Sequence, residues 1–301
     1  MTKSTVLQSK MEIEKISRGL LRVKLNSGRG FFKIGQSRRE DKTNLLCLEI
    51  NTLKSFEIGN TCDTCHFWFH CLKAPAVFSQ KKVVNIPKTI QIPRPIDEEM
   101  LWELSPLFEL FEKGDYAVFE TEVNLSGPFR DNDEGSYFRN SEFLELWDLE
   151  SPEEAGLLSG WEHYESARPR VFRHESPYPA EKQFSFIIPL VPVSKRKDEF
   201  VKVYESMIRN GDRPKVLLLG FYQRPVPAIV AKGEAKSMHS FFGGFVLDGH
   251  HKLAAYRRAG VPARFLTILS YKASKYALLP DEETGKTQRE RLDERLGALA
   301  L

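Results

Sequence analysis

The chain has 301 residues, of which 41% are hydrophobic and 28% charged, and its formal net charge is +3. This length allows two domains, the composition is that of an ordinary globular protein, and no apolar run reaches membrane-spanning length. A charge so close to neutral gives no electrostatic argument for nucleic-acid binding, so neither a membrane nor a nucleic acid is expected as a partner.

The cellular compartment is predicted from the N-terminus and the cysteines. Residues 1–15 are polar and carry no apolar segment, so we expect no signal peptide. The chain has four cysteines, and three of them fall within residues 62–71, which is not the spacing of a secreted disulfide scaffold. We therefore expect a cytoplasmic protein.

The first half of the chain predicts a β-rich domain with a few helices, over residues 1–163. Residues 1–16 are interpreted as a polar leader or a first helix. Short apolar or alternating runs predict strands at 20–24, 30–34, 45–50 and 116–123. A helix is expected to begin at Asp97, and Pro106 either kinks it or starts a second helix that Gly114 ends.

A cysteine knuckle lies inside this predicted domain. Cys62 and Cys65 have the C-x-x-C spacing that lets two thiolates bind one metal ion, and His70 and Cys71 follow within reach if the next segment is helical. The sequence therefore supports a structural Zn²⁺ site, although a site built from one short segment is cramped. The alternative is that these thiols are reduced and buried beside the aromatic residues between them.

The second half predicts a linker at 164–183, a mixed α/β domain at 184–275 and a charged helix or tail at 276–301. A helix over 197–210 carries the acidic residues Asp198 and Glu199, which either assist the turn described next or are ordinary solvated charges. Residues 230–244 read as a flexible insertion that could cover a ligand and bring up Lys232, Lys236 or His239. The whole chain is thus expected to have the α+β class.

The most informative segment runs from Phe245 to Leu269. An apolar strand ends at Asp248-Gly249, a helix follows to Gly260, and a second apolar strand begins after Pro262. The first N–H groups of a helix have no partner within it, and the helix dipole adds positive charge there. Gly249 would let a phosphate approach the backbone, with donors from three neighbours: His250, His251 and Lys252. The alternative is a strand-to-helix junction whose polar side chains face water.

Asp248-Gly-His-His-Lys-Leu-Ala-Ala-Tyr resembles the signature turn of the ParB/sulfiredoxin fold, in which a Gly-x-x-Arg turn opening a helix binds nucleotide phosphates. The resemblance extends upstream to about Phe184 and covers the last third of the chain. Sulfiredoxins place a catalytic Cys where this chain has His250, so sulfiredoxin chemistry is not expected. The form Asp-Gly-x-His-Arg is similar to a branch of nucleotide-dependent kinases, except that Lys252 replaces the Arg and loses its bidentate geometry.

The resemblance implies binding of a nucleoside phosphate, such as ATP, ADP or CTP with Mg²⁺, at Gly249, His250, His251 and Lys252. It further implies a phosphotransferase or nucleotide hydrolase in which Asp248, with His250 and His251, forms the catalytic group. A non-catalytic regulatory protein, with a zinc knuckle that recruits a protein partner through the N-terminal domain, is the alternative. A ParB-like DNA-associated regulator is a weaker third reading, because no helix-turn-helix follows the turn.

Overall fold

The computed structural model describes residues 10–38, 44–61, 66–71, 95–123, 170–172, 183–190, 196–224, 240–276 and 285–301. These residues form two β-sheets and five helices, so the described chain has a mixed α and β fold. The helices are α1 (Glu98–Glu103), α2 (Ser105–Phe108), α3 (Asp198–Arg209), α4 (His250–Ala259) and α5 (Gln288–Leu299). No helix in these ranges is both long and apolar enough to cross a membrane.

The larger sheet has eight strands. They are β1 (Met11–Ser17), β2 (Leu20–Leu25), β7 (Gly114–Val123), β9 (Gln183–Pro189), β10 (Val216–Arg224), β11 (Ser240–Asp248), β12 (Ala263–Ser270) and β13 (Lys275–Tyr276). Their order is β1-β2-β7-β12-β10-β11-β9, with β13 pairing with β10. The β10–β12, β9–β11 and β10–β13 pairs are parallel, and the other neighbours are antiparallel.

The smaller sheet has five antiparallel strands in the order β3-β4-β5-β6-β8. They are β3 (Phe32–Arg38), β4 (Asn44–Ile50), β5 (Leu53–Thr61), β6 (His66–Cys71) and β8 (Arg170–Phe172). The helix that would bring His70 and Cys71 within reach of the cysteine knuckle is therefore not formed in residues 66–71. Aromatic residues suit a pleated strand, and the backbone of residues 66–71 pairs with β5 on one side and β8 on the other.

The larger sheet lies between two layers. Strand β10 shows this directly, because Val216 and Leu218 pack on the side of α3, α4 and α5, whereas Leu217 and Leu219 pack on the side of the smaller sheet, α1 and α2. A strand buried on both faces reads as a continuous apolar run, as 216–219 does.

The larger sheet crosses the predicted linker. Strand β7, from the first half of the chain, pairs with β12 over eight residue pairs between Ala263↔Val123 and Ser270↔Tyr116. Strands β1 and β2 extend the same sheet beyond β7. The boundary drawn at 164–183 therefore does not separate two sheets.

Three further sequence predictions need correction. Residues 11–17 are an edge strand and not a leader or helix, because their backbone pairs antiparallel with β2. The helix begun by Pro106 ends at Phe108, because the backbone of Phe111 instead forms a bridge to β3. Residues 240–244 belong to β11, paired with both β9 and β10, and are not part of a flexible insertion.

Candidate functional site at the start of two parallel helices

The predicted strand–turn–helix–strand unit is present, and its turn lies at the edge of the larger sheet that is formed by the strand ends. Strand β11 ends at Asp248, opposite Leu217 near the start of β10. Strand β9 runs parallel to β11 and ends at the same edge. Both α3 and α4 begin there, so two strand ends and two helix N-termini meet in one place.

Hydrogen bonds link the N-terminus of α3 to that of α4 and the C-terminus of α3 to that of α4. At their N-termini, the backbone N–H of Lys197 donates to Nε2 of His251 at 3.1 Å. At their C-termini, the Arg209 guanidinium donates to the carbonyl of Arg258 at 3.2 Å. The two helices therefore run parallel, and the positive ends of their dipoles add at the candidate site.

Gly249 is required at the turn for two reasons. Its backbone has φ 97° and ψ 23°, a left-handed conformation that side chains with a Cβ adopt only with strain. A Cβ at this position would also lie 3.2 Å from Cα of Val216 and 3.3 Å from Cδ of Lys252. The glycine thus lets the chain reverse tightly against β10 and leaves room for the Lys252 stem.

His250 holds the segment that follows β9. The residue is 4% exposed, and its Nε2 accepts the backbone N–H of Leu190 at 3.0 Å. Burial lowers the pKa of His250 to about 3, with His251 and Arg196 adding repulsion. The ring is therefore neutral and already used as an acceptor, which favours a structural role over the catalytic role predicted for it.

His251 is more accessible and makes a matching contact. Its Nε2 accepts from Lys197, and its ring meets the ring of Phe200 edge to face at 5.4 Å between centroids. Burial lowers the pKa of this imidazole, and repulsion by Arg196 lowers it further. A neutral ring whose Nε2 accepts a hydrogen bond carries its hydrogen on Nδ1, so His251 has one N–H to donate.

Lys252 does not point outward. Its side chain is 2% exposed, and Nζ lies 3.6 Å from Oδ2 of Asp248 and donates to the carbonyl of Lys215 at 3.0 Å. Burial lowers its pKa, and the Asp248 carboxylate opposes that shift. Asp248 itself is 27% exposed, so its carboxylate reaches solvent while one oxygen faces the lysine.

The two helices at the site differ from α1 and α5 in how they begin. Asp97 caps α1 by accepting from the N–H of Met100, and Thr287 forms a capping box with Glu290 at α5. The N-cap positions of α3 and α4, Lys197 and Gly249, provide no side-chain cap. The first-turn amides of both helices are thus left to groups other than their own N-cap side chains.

Sequence reasoning missed the contribution of the β9–α3 connection. Arg196 adds positive charge beside both imidazoles, and Lys197 and Phe200 contact His251 or each other. These residues stand at the preceding strand-to-helix junction, which was the only available signal. Asp198 is occupied elsewhere, in ion pairs with Lys202 at 3.0 Å and Arg258 at 2.6 Å, and so does not assist Asp248 in this structure.

The predicted metal site is not tested by the described residues. Cys62 and Cys65 lie outside them, and only the backbone of His70 and Cys71 is described, in β6. Within the described ranges, no group of three or more His, Cys, Asp or Glu side chains could hold a metal ion. The zinc site stays a prediction, as does the covering segment with Lys232, Lys236 and His239, which also lies outside the described residues.

Comparison with known proteins gives no assignment: no protein-family model, no curated protein and no solved structure matches this chain.

Proposed function

We propose that the chain binds a nucleoside phosphate at residues 248–251 and transfers or hydrolyses its terminal phosphoryl group. The proposal includes a ParB/sulfiredoxin-like arrangement of residues 184–275, in which β9, α3, β10, β11, α4 and β12 follow one another. ATP, ADP and CTP, each with Mg²⁺, are the candidate ligands. Among the other described residues, those of β2, β7 and α5 pack against this unit.

One observation carries the proposal: two parallel helices begin side by side without N-cap side chains, at a turn with a left-handed glycine. Backbone amides at a helix N-terminus and the helix dipole both favour a phosphate. Arg196 and Lys197 add cationic charge at the same edge, and Gly249 has no side chain to block approach. His251 has an N–H on Nδ1 to donate to a phosphate oxygen.

Asp248 is the group best placed for chemistry. Its carboxylate stands at the end of β11, one residue before the turn, and is accessible to solvent. A carboxylate is the kind of oxygen donor that Mg²⁺ binds together with phosphate oxygens, so Asp248 fits that ion. Bound there, Mg²⁺ would neutralise phosphate charge. Asp248 could alternatively accept the proton of an attacking hydroxyl or water as the new P–O bond forms and the bond to the leaving phosphate breaks.

A thermal-shift panel of ATP, ADP, CTP and GTP, with and without Mg²⁺, tests the binding step. A ligand that binds only the folded state at 100 times its dissociation constant stabilises it by about 2.7 kcal/mol, which raises the melting temperature by several degrees. We expect a shift with one nucleotide that Arg196→Ala reduces. Arg209→Ala, at the other end of the same helix pair, is the matched control and should keep the shift. No shift with any nucleotide would refute the proposal.

A second function, protein binding without catalysis, is favoured by one surface feature. Phe200, Val203 and Met207 are 46%, 57% and 36% exposed and recur at helical spacing along α3. Such an apolar stripe beside polar residues is typical of an interaction surface. Nucleotide turnover by the purified protein, lost in Asp248→Asn, would exclude a purely non-catalytic role. Binding without turnover would favour it.

A further inference from the structure

The ammonium group of Lys252 lies beneath the turn and is enclosed by three groups. Asp248 Oδ2 is 3.6 Å away, the Lys215 carbonyl accepts from Nζ at 3.0 Å, and the ring centroid of Tyr204, from α3, lies at 5.8 Å. The whole residue is 1% exposed. A phosphate at the mouth of the turn could not contact this ammonium unless the side chain first left all three partners.

We infer that Lys252 is a positioning residue, which holds the Asp248 carboxylate in place, and that it is not a ligand of the phosphate. The inference rests on the proposed function, because that function makes Asp248 the working carboxylate. The positioning role of Lys252 replaces the phosphate contact that the resemblance to the Gly-x-x-Arg turn implies for this position. A lysine suits the buried place, since it directs a single point charge between a carboxylate and a carbonyl.

The turn geometry explains how the two residues meet. Asp248 belongs to β11 and Lys252 to the first turn of α4, so their approach does not come from helical spacing. It comes from Gly249, whose positive φ folds the helix start back over the strand end. The same glycine lies against the lysine stem, because a Cβ there would be 3.3 Å from Cδ of Lys252.

The carbonyl that holds Lys252 is itself anchored in the sheet. Lys215 immediately precedes β10, and its buried ammonium pairs with Oε1 of Glu120, on β7, at 2.5 Å. The other oxygen of Glu120 accepts from Arg264, on β12, at 2.7 Å. The positioning of Asp248 thus extends through Lys252 and the Lys215 backbone into two neighbouring strands.

The first test needs no nucleotide. Urea unfolding at pH 7 is followed for Asp248→Asn, for Lys252→Met and for the double variant. Because the two side chains are in contact, the double variant should shift the midpoint by clearly less than the sum of the two single shifts. Glu294→Gln, an exposed change on α5, is the matched control, and its shift should add to that of Asp248→Asn. Additive shifts for Asp248→Asn and Lys252→Met would overturn the inference even if nucleotides bind.

The second test separates positioning from phosphate contact. For Lys252→Met, which keeps the length of the stem, we expect ADP affinity without Mg²⁺ to stay within about twofold, since no ligand contact is lost. Turnover should fall to the level of Asp248→Asn, and the double variant should fall no further, as expected of residues acting as one unit. A loss of ADP affinity of about tenfold or more in Lys252→Met alone would assign the lysine to the phosphate.

The outcomes also distinguish the two proposals. If the wild type binds no nucleotide, the proposed function fails, while the unfolding measurements on the single and double variants still decide whether the lysine and Asp248 are coupled. If the wild type binds nucleotide and Lys252→Met weakens that binding, the proposed function stands and the positioning role fails. If Lys252→Met lowers turnover while its loss of stability simply adds to that of Asp248→Asn, the effect is general destabilisation and the inference is wrong.

Discussion

Replacing Gly249 with alanine tests the structure of the turn, because the same helix provides a matched control. Gly249 precedes α4 with φ 97°, and Gly260 follows it with φ 69°. Both glycines are left-handed, so alanine is strained at either end. The surroundings differ: a Cβ at 249 would lie 3.2 Å from the Val216 backbone, whereas a Cβ at 260 meets nothing within 4 Å.

The expected losses in the free energy of unfolding follow from these two terms. A left-handed backbone costs alanine roughly 1–2 kcal/mol, part of which is offset by about 0.4–1 kcal/mol because alanine has a less flexible unfolded state. Gly260→Ala should therefore cost about 1 kcal/mol. Gly249→Ala adds an overpacking cost of about 1–3 kcal/mol, since the contacted atom belongs to the backbone of a central strand and cannot easily move. We expect a total of about 3 kcal/mol.

Urea unfolding followed by circular dichroism measures both variants. At equal slope, the midpoint of Gly249→Ala should shift by about three times as much as that of Gly260→Ala. Equal shifts would show that the close contact with β10 has no energetic consequence, contrary to the expected difference.

Two further predictions concern stability. Burial lowers the pKa of His250 to about 3, below its ordinary 6.5, so the unfolded chain takes up a proton between these values that the folded chain does not. The stability that neutral His250 contributes is therefore present above pH 6.5 and is lost as the pH falls toward 3, at up to about 1.4 kcal/mol per pH unit. His250→Gln should make the free energy of unfolding, measured with urea, decrease less steeply between pH 6 and pH 4. The same slope in the variant and the wild type would contradict a buried, neutral His250. At α5, Asp293 accepts from Arg22 at 2.6 Å and from the Tyr271 hydroxyl, so Asp293→Ala should cost about 2 kcal/mol, because it removes both hydrogen bonds while Arg22 keeps its ion pair with Glu14. Its neighbour Glu294 is 58% exposed, and Glu294→Ala should change stability by no more than about 0.5 kcal/mol; similar losses in the two variants would show that the Asp293 contacts do not hold the helix.

The strand, turn and helix at the site could be predicted because a few neighbouring residues in the sequence indicate each of them. The apolar run that ends at Asp248, the glycine at position 249 and Gly260 each act within a few residues, and the structure has a strand, a turn and a helix end there. The strand at 11–17 was missed because its alternation is short and mostly charged, so its pairing with β2 decides its conformation.

Partnerships between distant segments could not be predicted in this way. Nothing in the composition of β7 indicates that it pairs with β12, about 140 residues later. The boundary predicted at 164–183 came from local composition alone, so it could not take this pairing into account. The same limit applies to Lys252. Its charge beside a glycine turn indicated a phosphate ligand, whereas its burial depends on the Lys215 carbonyl and on α3, both remote in sequence.

Phosphate binding at the turn is tested most directly by following the backbone amides of residues 249–251 by ¹H–¹⁵N NMR during titration with ADP and, separately, with adenosine. A phosphate held by the start of α4 predicts progressive shifts of these three amides with ADP, and much smaller shifts with adenosine, which lacks the phosphates. Amides of α5, far from the turn, should stay unchanged with both. If ADP leaves residues 249–251 unmoved, or moves another part of the chain instead, the turn is not a phosphate site.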